Sequence, residues 1–145
     1  LQTINKYDSI ALYFEGDMFS AAKAVTLLAY LEQEKYGGVL RFNLLKQDGS
    51  ADVLESFPLP PDGWLAAYES IMVKNKPMET GVAVFDCALP LLSEYRQDDN
   101  EIVRFVREHS GMNERDLIGA MLKRFQDYGL SDIAAKRFIL KQQKQ

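Results

Sequence analysis

Three carboxylates are the residues of this chain whose types and spacing most readily suggest chemistry. Glu15 and Asp17 follow the strand-like run "SIALYFEG", and Asp86 lies near the end of the apolar run "TGVAVFDCAL". Parallel strands end at a common edge of a sheet, so neighbouring strands would bring these three side chains together. Carboxylate oxygens are the ligands that divalent cations prefer. A metal-dependent enzyme with an acidic site at this edge is therefore one hypothesis.

A structural interpretation of the same carboxylates is simpler. Asp17 directly precedes an apolar helical run and is a residue type that caps helix N-termini, while Glu15 suits a solvated strand end. The Glu-Gly-Asp step resembles the first half of the toprim motif of primases and topoisomerases. The second half, two Asp separated by one residue, is replaced here by "DCA". We therefore expect no metal and no other cofactor, and the sequence favours a non-catalytic protein while leaving an enzyme open.

His109 and Cys87 belong to the residue types that catalysis and metal binding commonly use. His109 lies in the predicted last turn of a helix, just before Gly111, where the helix dipole favours a partly cationic imidazole. Cys87 lies within an apolar run, which predicts a small buried side chain with suppressed reactivity. The chain contains no other Cys, so an intramolecular disulfide is excluded.

The C-terminal part of the chain is basic, although the net charge of the whole chain is -4. The stretch "GMNERDLIGAMLKRFQDYGLSDIAAKRFIL" predicts two helices joined by a tight turn at Gly129. Phe125 would hold these helices apart where a helix-turn-helix needs Ala or Gly. A solvated basic face of a helical lobe is therefore the simpler interpretation. The alternative is a DNA-associated regulator that binds nucleic acid weakly through Lys123, Arg124, Lys136, Arg137 and Lys141.

Two apolar residues of the last predicted helix interrupt its basic arc. Ile133 and Leu140 are seven residues apart, so they share one face and form a narrow seam of the kind through which helices pair. Trp64, in "FPLPPDGW", either closes the core or is presented by the Pro-rich loop as a docking residue. These features favour a small interaction or adaptor module that self-associates, as a homo-oligomer, or docks a protein partner.

The first ninety residues alternate between strand and helix patterns. The sequence predicts a strand over 9–16, a helix over 18–36 capped by Asp17, and a hairpin of 39–46 with 51–58 around Asp48-Gly49. A helix from residue 63, capped by Asp62, precedes a fourth strand at 80–89. The simplest topology is an α+β fold with a four-stranded split βαβ, ferredoxin-like sheet.

The remainder, residues 91–145, predicts a C-terminal lobe of about three helices. Their caps are one of residues 98–100, then Asn113, then Ser131. No repeat or flexible linker separates this lobe from the sheet-containing body at 1–90, so we expect a single domain over 1–145.

Composition sets the expected environment. The chain has 145 residues, of which 47% are hydrophobic and 26% charged, as in an ordinary globular domain. The run "AVTLLAYL" is too short to span a bilayer, and "LQTINKYD" lacks the apolar core of a signal peptide. We therefore expect a soluble, cytoplasmic protein that does not bind membranes.

Overall fold

Three strands form one mixed sheet in the computed structural model, which describes residues 2–144. The strands are β1 (Ser9–Glu15), β2 (Val39–Leu45) and β3 (Val53–Leu59), in the order β1-β2-β3. β1 and β2 are parallel and are connected by helix α1 (Met18–Gln33), whereas β2 and β3 form an antiparallel hairpin. No strand lies between β1 and β2, so the βαβ unit is not split.

The predicted four-stranded, ferredoxin-like sheet is therefore wrong, although the mixture of helices and sheet is as predicted. The segment expected to be the fourth strand, 80–89, contains helix α3 (Ala83–Ala88) instead. Its buried residues are Val82, Phe85, Ala88 and Leu89, a helical spacing, and Cys87 on the opposite side is exposed. A short apolar run does not distinguish a buried strand from a helix packed by one face.

The ends of α1 follow from local chemistry. Asp17 caps its N-terminus as predicted. The helix ends at Gln33, earlier than predicted, because Lys35 adopts a left-handed conformation with φ of 58°. The backbone N–H of Tyr36 then donates to the carbonyl of Leu31 over 2.9 Å, which is the bond of a Schellman motif.

The predicted hairpin is confirmed, but its turn differs in detail. Positive φ angles occur at Gly49 (78°) and Ala51 (62°) rather than at Asp48 and Gly49. The side chain of Asp48 accepts a hydrogen bond from the backbone N–H of Ser50 over 2.9 Å. β3 also extends through Pro58, which an edge strand tolerates because a proline there need not donate to the ladder.

The helix after the hairpin begins at Trp64 rather than at Gly63. Helix α2 (Trp64–Tyr68) continues directly into one π-helical turn, Glu69–Val73. Asp62 does not cap it. The carboxylate of Glu32 in α1 instead accepts hydrogen bonds from the backbone N–H groups of Gly63, over 3.2 Å, and Leu65, over 2.7 Å.

The chain after residue 90 is helical, with more segments than the expected three helices. These are α4 (Leu91–Tyr95), α5 (Glu101–Glu108), α6 (Glu114–Arg124), a 3-10 turn at Gln126–Tyr128 and α7 (Asp132–Gln143). Asn100, Asn113 and Ser131 cap α5, α6 and α7, in agreement with the sequence. No helix within residues 2–144 is long and apolar enough to cross a membrane.

The helices cover one face of the sheet and leave the other face open. On the covered face, Leu12, Phe42 and Leu59 are buried, and the rings of Phe42 and Phe85 meet edge to face at 5.1 Å. On the opposite face, the side chains of Tyr13 and Val39 are 58% and 61% exposed. One continuous hydrophobic core extends from this sheet to α5, α6 and α7.

Candidate functional site

The carboxyl ends of β1 and β2 border a polar groove of about 460 Å³ that contains two of the three predicted carboxylates. Glu15 and Asp17 lie on one wall with Lys23 of α1, and the turn between α6 and α7 forms the other wall. The groove thus lies where ligands commonly bind in parallel sheets.

Asp17 is fully engaged in holding the start of α1. Its carboxylate accepts hydrogen bonds from the backbone N–H of Ser20 and from the Ser20 hydroxyl, each over 2.8 Å, and the residue is 4% exposed. Gly129 lies against the same carboxylate, so close that a Cβ on Gly129 would be 2.1 Å from Asp17 Oδ1. Asp17 therefore caps α1 and lies in close contact with the turn between α6 and α7.

Asp86 is occupied at the start of α3. Its carboxylate accepts hydrogen bonds from the backbone N–H of Thr80 (2.7 Å), the Thr80 hydroxyl (2.9 Å) and the backbone N–H of Gly81 (3.1 Å). Across residues 2–144, no group of three His, Cys, Asp or Glu side chains is arranged to hold a metal ion. These contacts support structural roles for the two aspartates and give no support to a three-carboxylate centre.

The two other reactive residue types are also placed by the structure. Cys87 is exposed on α3, so the prediction that it is buried is wrong, because the segment is a helix and not a central strand. His109 follows the last residue of α5, and its Nδ1 lies 2.8 Å from the carbonyl oxygen of Phe105. Its ring also stacks on that of Phe105 at 4.1 Å. These contacts are those of a residue that ends a helix.

The predicted nucleic-acid residues are all exposed, on two successive helices. Lys123 and Arg124 end α6, whereas Lys136, Arg137 and Lys141 lie on α7. Two of them have partners within the chain. The guanidinium of Arg124 lies 5.2 Å from the ring centre of Phe125, and Lys136 Nζ lies 3.6 Å from Glu114 Oε1.

Phe125 itself is buried, with 2% of its surface exposed, between α6 and the turn. Its ring packs edge to face on Phe105 at 5.3 Å. The large side chain is therefore part of the hydrophobic core beside the turn between α6 and α7.

The apolar seam on α7 is exposed as the sequence predicts. Ile133 is 65% exposed and Leu140 is 44% exposed, while Ala135 and Ile139 on the opposite side of the helix are buried. The seam therefore lies outside the hydrophobic core.

Trp64 is buried in the core and is not presented as a docking residue. It is 2% exposed, its indole N–H donates to the carbonyl of Pro60 over 2.8 Å, and its ring meets Phe85 edge to face at 5.7 Å. In this conformation the indole offers a partner almost no surface.

Two further features were not predicted. A largely apolar cleft of about 390 Å³ lies between the π-helical turn and α3 and α4. Arg96 donates to the carbonyl of Ile71 (2.9 Å), a residue that lines the cleft, and to the carbonyl of Met72 (3.0 Å) in the same turn. The second feature is the open side of the sheet with its edge strand β1. The alternation of Ile10, Leu12 and Phe14 with smaller or polar residues in "SIALYFE" is the signal that could have indicated a strand with one open face.

No known protein family matches the chain, and no curated protein or solved structure shows significant similarity to it. Its own residues must therefore carry any inference about function.

Proposed function

We propose that this protein is a non-catalytic interaction or adaptor module that self-associates or docks a protein partner through α7. The observation that carries the proposal is the exposed pair Ile133 and Leu140, aligned along one face of that helix. Burying such side chains in an interface contributes roughly 1.5–3 kcal/mol each when the burial is complete. A cytoplasmic location forms part of this proposal.

The charges beside the seam define the partner. Arg137 and Lys141 flank it, while Lys136 already faces Glu114. A partner must therefore supply carboxylates beside its apolar contact. A second copy has exposed candidates in Asp127 and Asp132. The same requirement holds for an acidic partner of another sequence.

The test is to replace the seam with charge. Ile133→Asp with Leu140→Asp should give a folded protein that no longer associates through α7, because both side chains are exposed and contribute little to the core. Val73→Asp with Met78→Asp is the matched control, since those apolar residues are 58% and 40% exposed and lie far from α7 in the sequence. Light scattering and circular dichroism over a range of concentrations report the assembly and the fold.

A wild type that stays monomeric at high concentration contradicts self-association through the seam. Equal dissociation by the control pair would show that added charge, rather than loss of the seam, separates the copies. If the α7 variant unfolds, the seam belongs to the core and the proposed surface is wrong. The alternative of weak nucleic-acid binding by the basic residues remains a separate prediction.

A further inference from the structure

One edge of the sheet has backbone groups that point away from the molecule. The backbone N–H of Val39 donates to the carbonyl of Asp8 over 2.9 Å, so the carbonyl of Asp8 faces β2. Successive residues of a strand direct their backbone groups to opposite sides. Ile10, Leu12 and Phe14 therefore face β2, and the four alternate residues, Ser9, Ala11, Tyr13 and Glu15, face outward.

These outward groups have no partner within residues 2–144. β1 pairs with β2 alone, and no other hydrogen bond in the described part of the chain uses the backbone of those four residues. The side chains of Ser9, Ala11 and Tyr13 project from the open face of the sheet and are exposed, and among the described elements only β2 and α1 pack extensively against β1.

The other edge of the sheet carries the protection that β1 lacks. β3 contains Pro58, the exposed Glu55 and an irregularity in its pairing opposite Leu44 and Leu45. Proline, charge and bulges are the devices by which natural edge strands avoid pairing. The sequence of β1, "SIALYFE", contains no proline, carries its one charge at its last residue, Glu15, and is regular along its whole length.

We propose that the β1 edge binds the β1 edge of a second copy, in antiparallel orientation about Leu12, to make one continuous sheet. This goes beyond the proposed function, because it uses a surface separate from α7. A two-fold axis requires antiparallel pairing of identical strands. Centring the axis on Leu12 pairs Ala11 with Tyr13 and Ser9 with Glu15, so every outward residue exchanges hydrogen bonds with the other copy.

The register explains why a second copy fits this edge. Glu15 carries the strand's one charge, and the two-fold places it opposite the neutral Ser9, so no like charges face each other along the paired strands. Ala11 lies opposite Tyr13, and a small residue beside an aromatic ring lets the ring pack over the neighbouring strand. The open faces of the two sheets also become continuous.

The first experiment removes one outward N–H without disturbing the sheet. Ala11→Pro leaves every hydrogen bond between β1 and β2 intact, because the N–H of Ala11 points away from β2. Ser56→Pro is the matched control on β3, since Ser56 pairs with Asn43, which faces β1, and its N–H is likewise outward. We expect Ala11→Pro to raise the dimer dissociation constant at least tenfold and Ser56→Pro to leave it unchanged.

The second experiment tests the register and does not depend on a proline. A variant with Ala11→Lys and Tyr13→Lys places lysines of the two copies opposite each other, and a variant with Ala11→Glu and Tyr13→Glu does the same with carboxylates. Both positions are exposed, so both variants should fold. With Ile133→Asp and Leu140→Asp also present to remove association through α7, each should be monomeric alone, and an equimolar mixture should form a one-to-one dimer that salt weakens. Light scattering and native mass spectrometry measure this.

The outcomes separate this proposal from the α7 proposal. Dimers that survive both charged variants but dissociate with Ile133→Asp and Leu140→Asp overturn the edge pairing and leave the α7 seam. Dimers that dissociate in both charged variants of β1 but survive Ile133→Asp with Leu140→Asp support the edge pairing and overturn self-association through α7. A mixture of charged variants that remains monomeric overturns the register about Leu12. A wild type that is monomeric at all concentrations overturns both self-associating surfaces.

Discussion

Replacing Gly129 with alanine is expected to destabilise the protein by two coupled effects. Gly129 has φ of 76°, a left-handed conformation that costs an alanine roughly 1–2 kcal/mol. A Cβ would also lie 2.1 Å from Oδ1 and 2.4 Å from Cγ of Asp17. The carboxylate must therefore move away and lose its hydrogen bonds to Ser20.

The size of the effect follows from these two parts. Losing an N-cap side chain costs about 1 kcal/mol, within a range of 0.5–2 kcal/mol. Gly129→Ala should thus lower the free energy of unfolding by about 2–3 kcal/mol, and Asp17→Ala should lower it by about 1 kcal/mol. In the double variant the cap is lost once rather than twice. Its destabilisation should be smaller than the sum of the single effects by about 1 kcal/mol.

Urea denaturation followed by circular dichroism measures all four proteins of this cycle. Gly119→Ala is the matched control, because Gly119 lies within α6 and nothing is within 4 Å of a Cβ there. That substitution should stabilise the protein by about 0.5–1 kcal/mol, as expected for alanine replacing glycine in a helix. If the Gly129 and Asp17 effects add to within about 0.5 kcal/mol, the proposed contact between the turn and the cap is refuted.

Three further outcomes are expected. Burial, and then the hydrogen bond to Glu101 over 2.6 Å, raise the pKa of Tyr128 above its ordinary value. The unfolded chain thus loses this proton at a lower pH than the folded protein, so the free energy of unfolding should fall as the pH rises above about 10. Tyr128→Phe should make this fall smaller in denaturation experiments. Mg²⁺ or Mn²⁺ should leave the melting temperature unchanged. A metal bound at a true site and present at 100 times its Kd would raise the free energy of unfolding by about 2.7 kcal/mol. A saturable rise in melting temperature that Asp86→Ala abolishes would contradict this prediction. Duplex DNA should bind weakly. Even if seven basic residues met phosphate, the logarithmic salt slope in titrations should be no steeper than about -6; they are Arg115, Lys123, Arg124, Lys136, Arg137, Lys141 and Lys144. Nanomolar binding at physiological salt, with strong discrimination against a scrambled duplex, would favour a regulator.

The sequence predicts those parts of the fold that depend on neighbouring residues. Asp17, Asn113 and Ser131 each accept a hydrogen bond from a backbone N–H three residues further on, so a cap and its helix are encoded together. The β2–β3 hairpin is likewise encoded by its two apolar runs and the turn between them.

Features that depend on distant residues could not be predicted in the same way. The start of α2 is capped by Glu32, which is more than thirty residues from Leu65 in the chain. Asp62 is of a residue type that caps helices and stands just before this helix, yet the carboxylate of Glu32 accepts the hydrogen bonds instead. The burial of Trp64 likewise depends on its contact with Phe85, in a segment that the sequence alone assigns to a strand.

The wrong prediction of a strand at 80–89 also explains why the sequence did not indicate the exposed edge of β1. A fourth strand beside β1 would have satisfied the outward backbone groups of Ala11 and Tyr13 and removed any reason for that edge to bind. Because Asp86 holds Thr80 and Gly81 at the start of a helix, the segment instead packs Phe85 against Phe42 on the covered face. Because this segment forms α3 and packs on the covered face, it does not pair with β1, and β1 is an edge of the sheet.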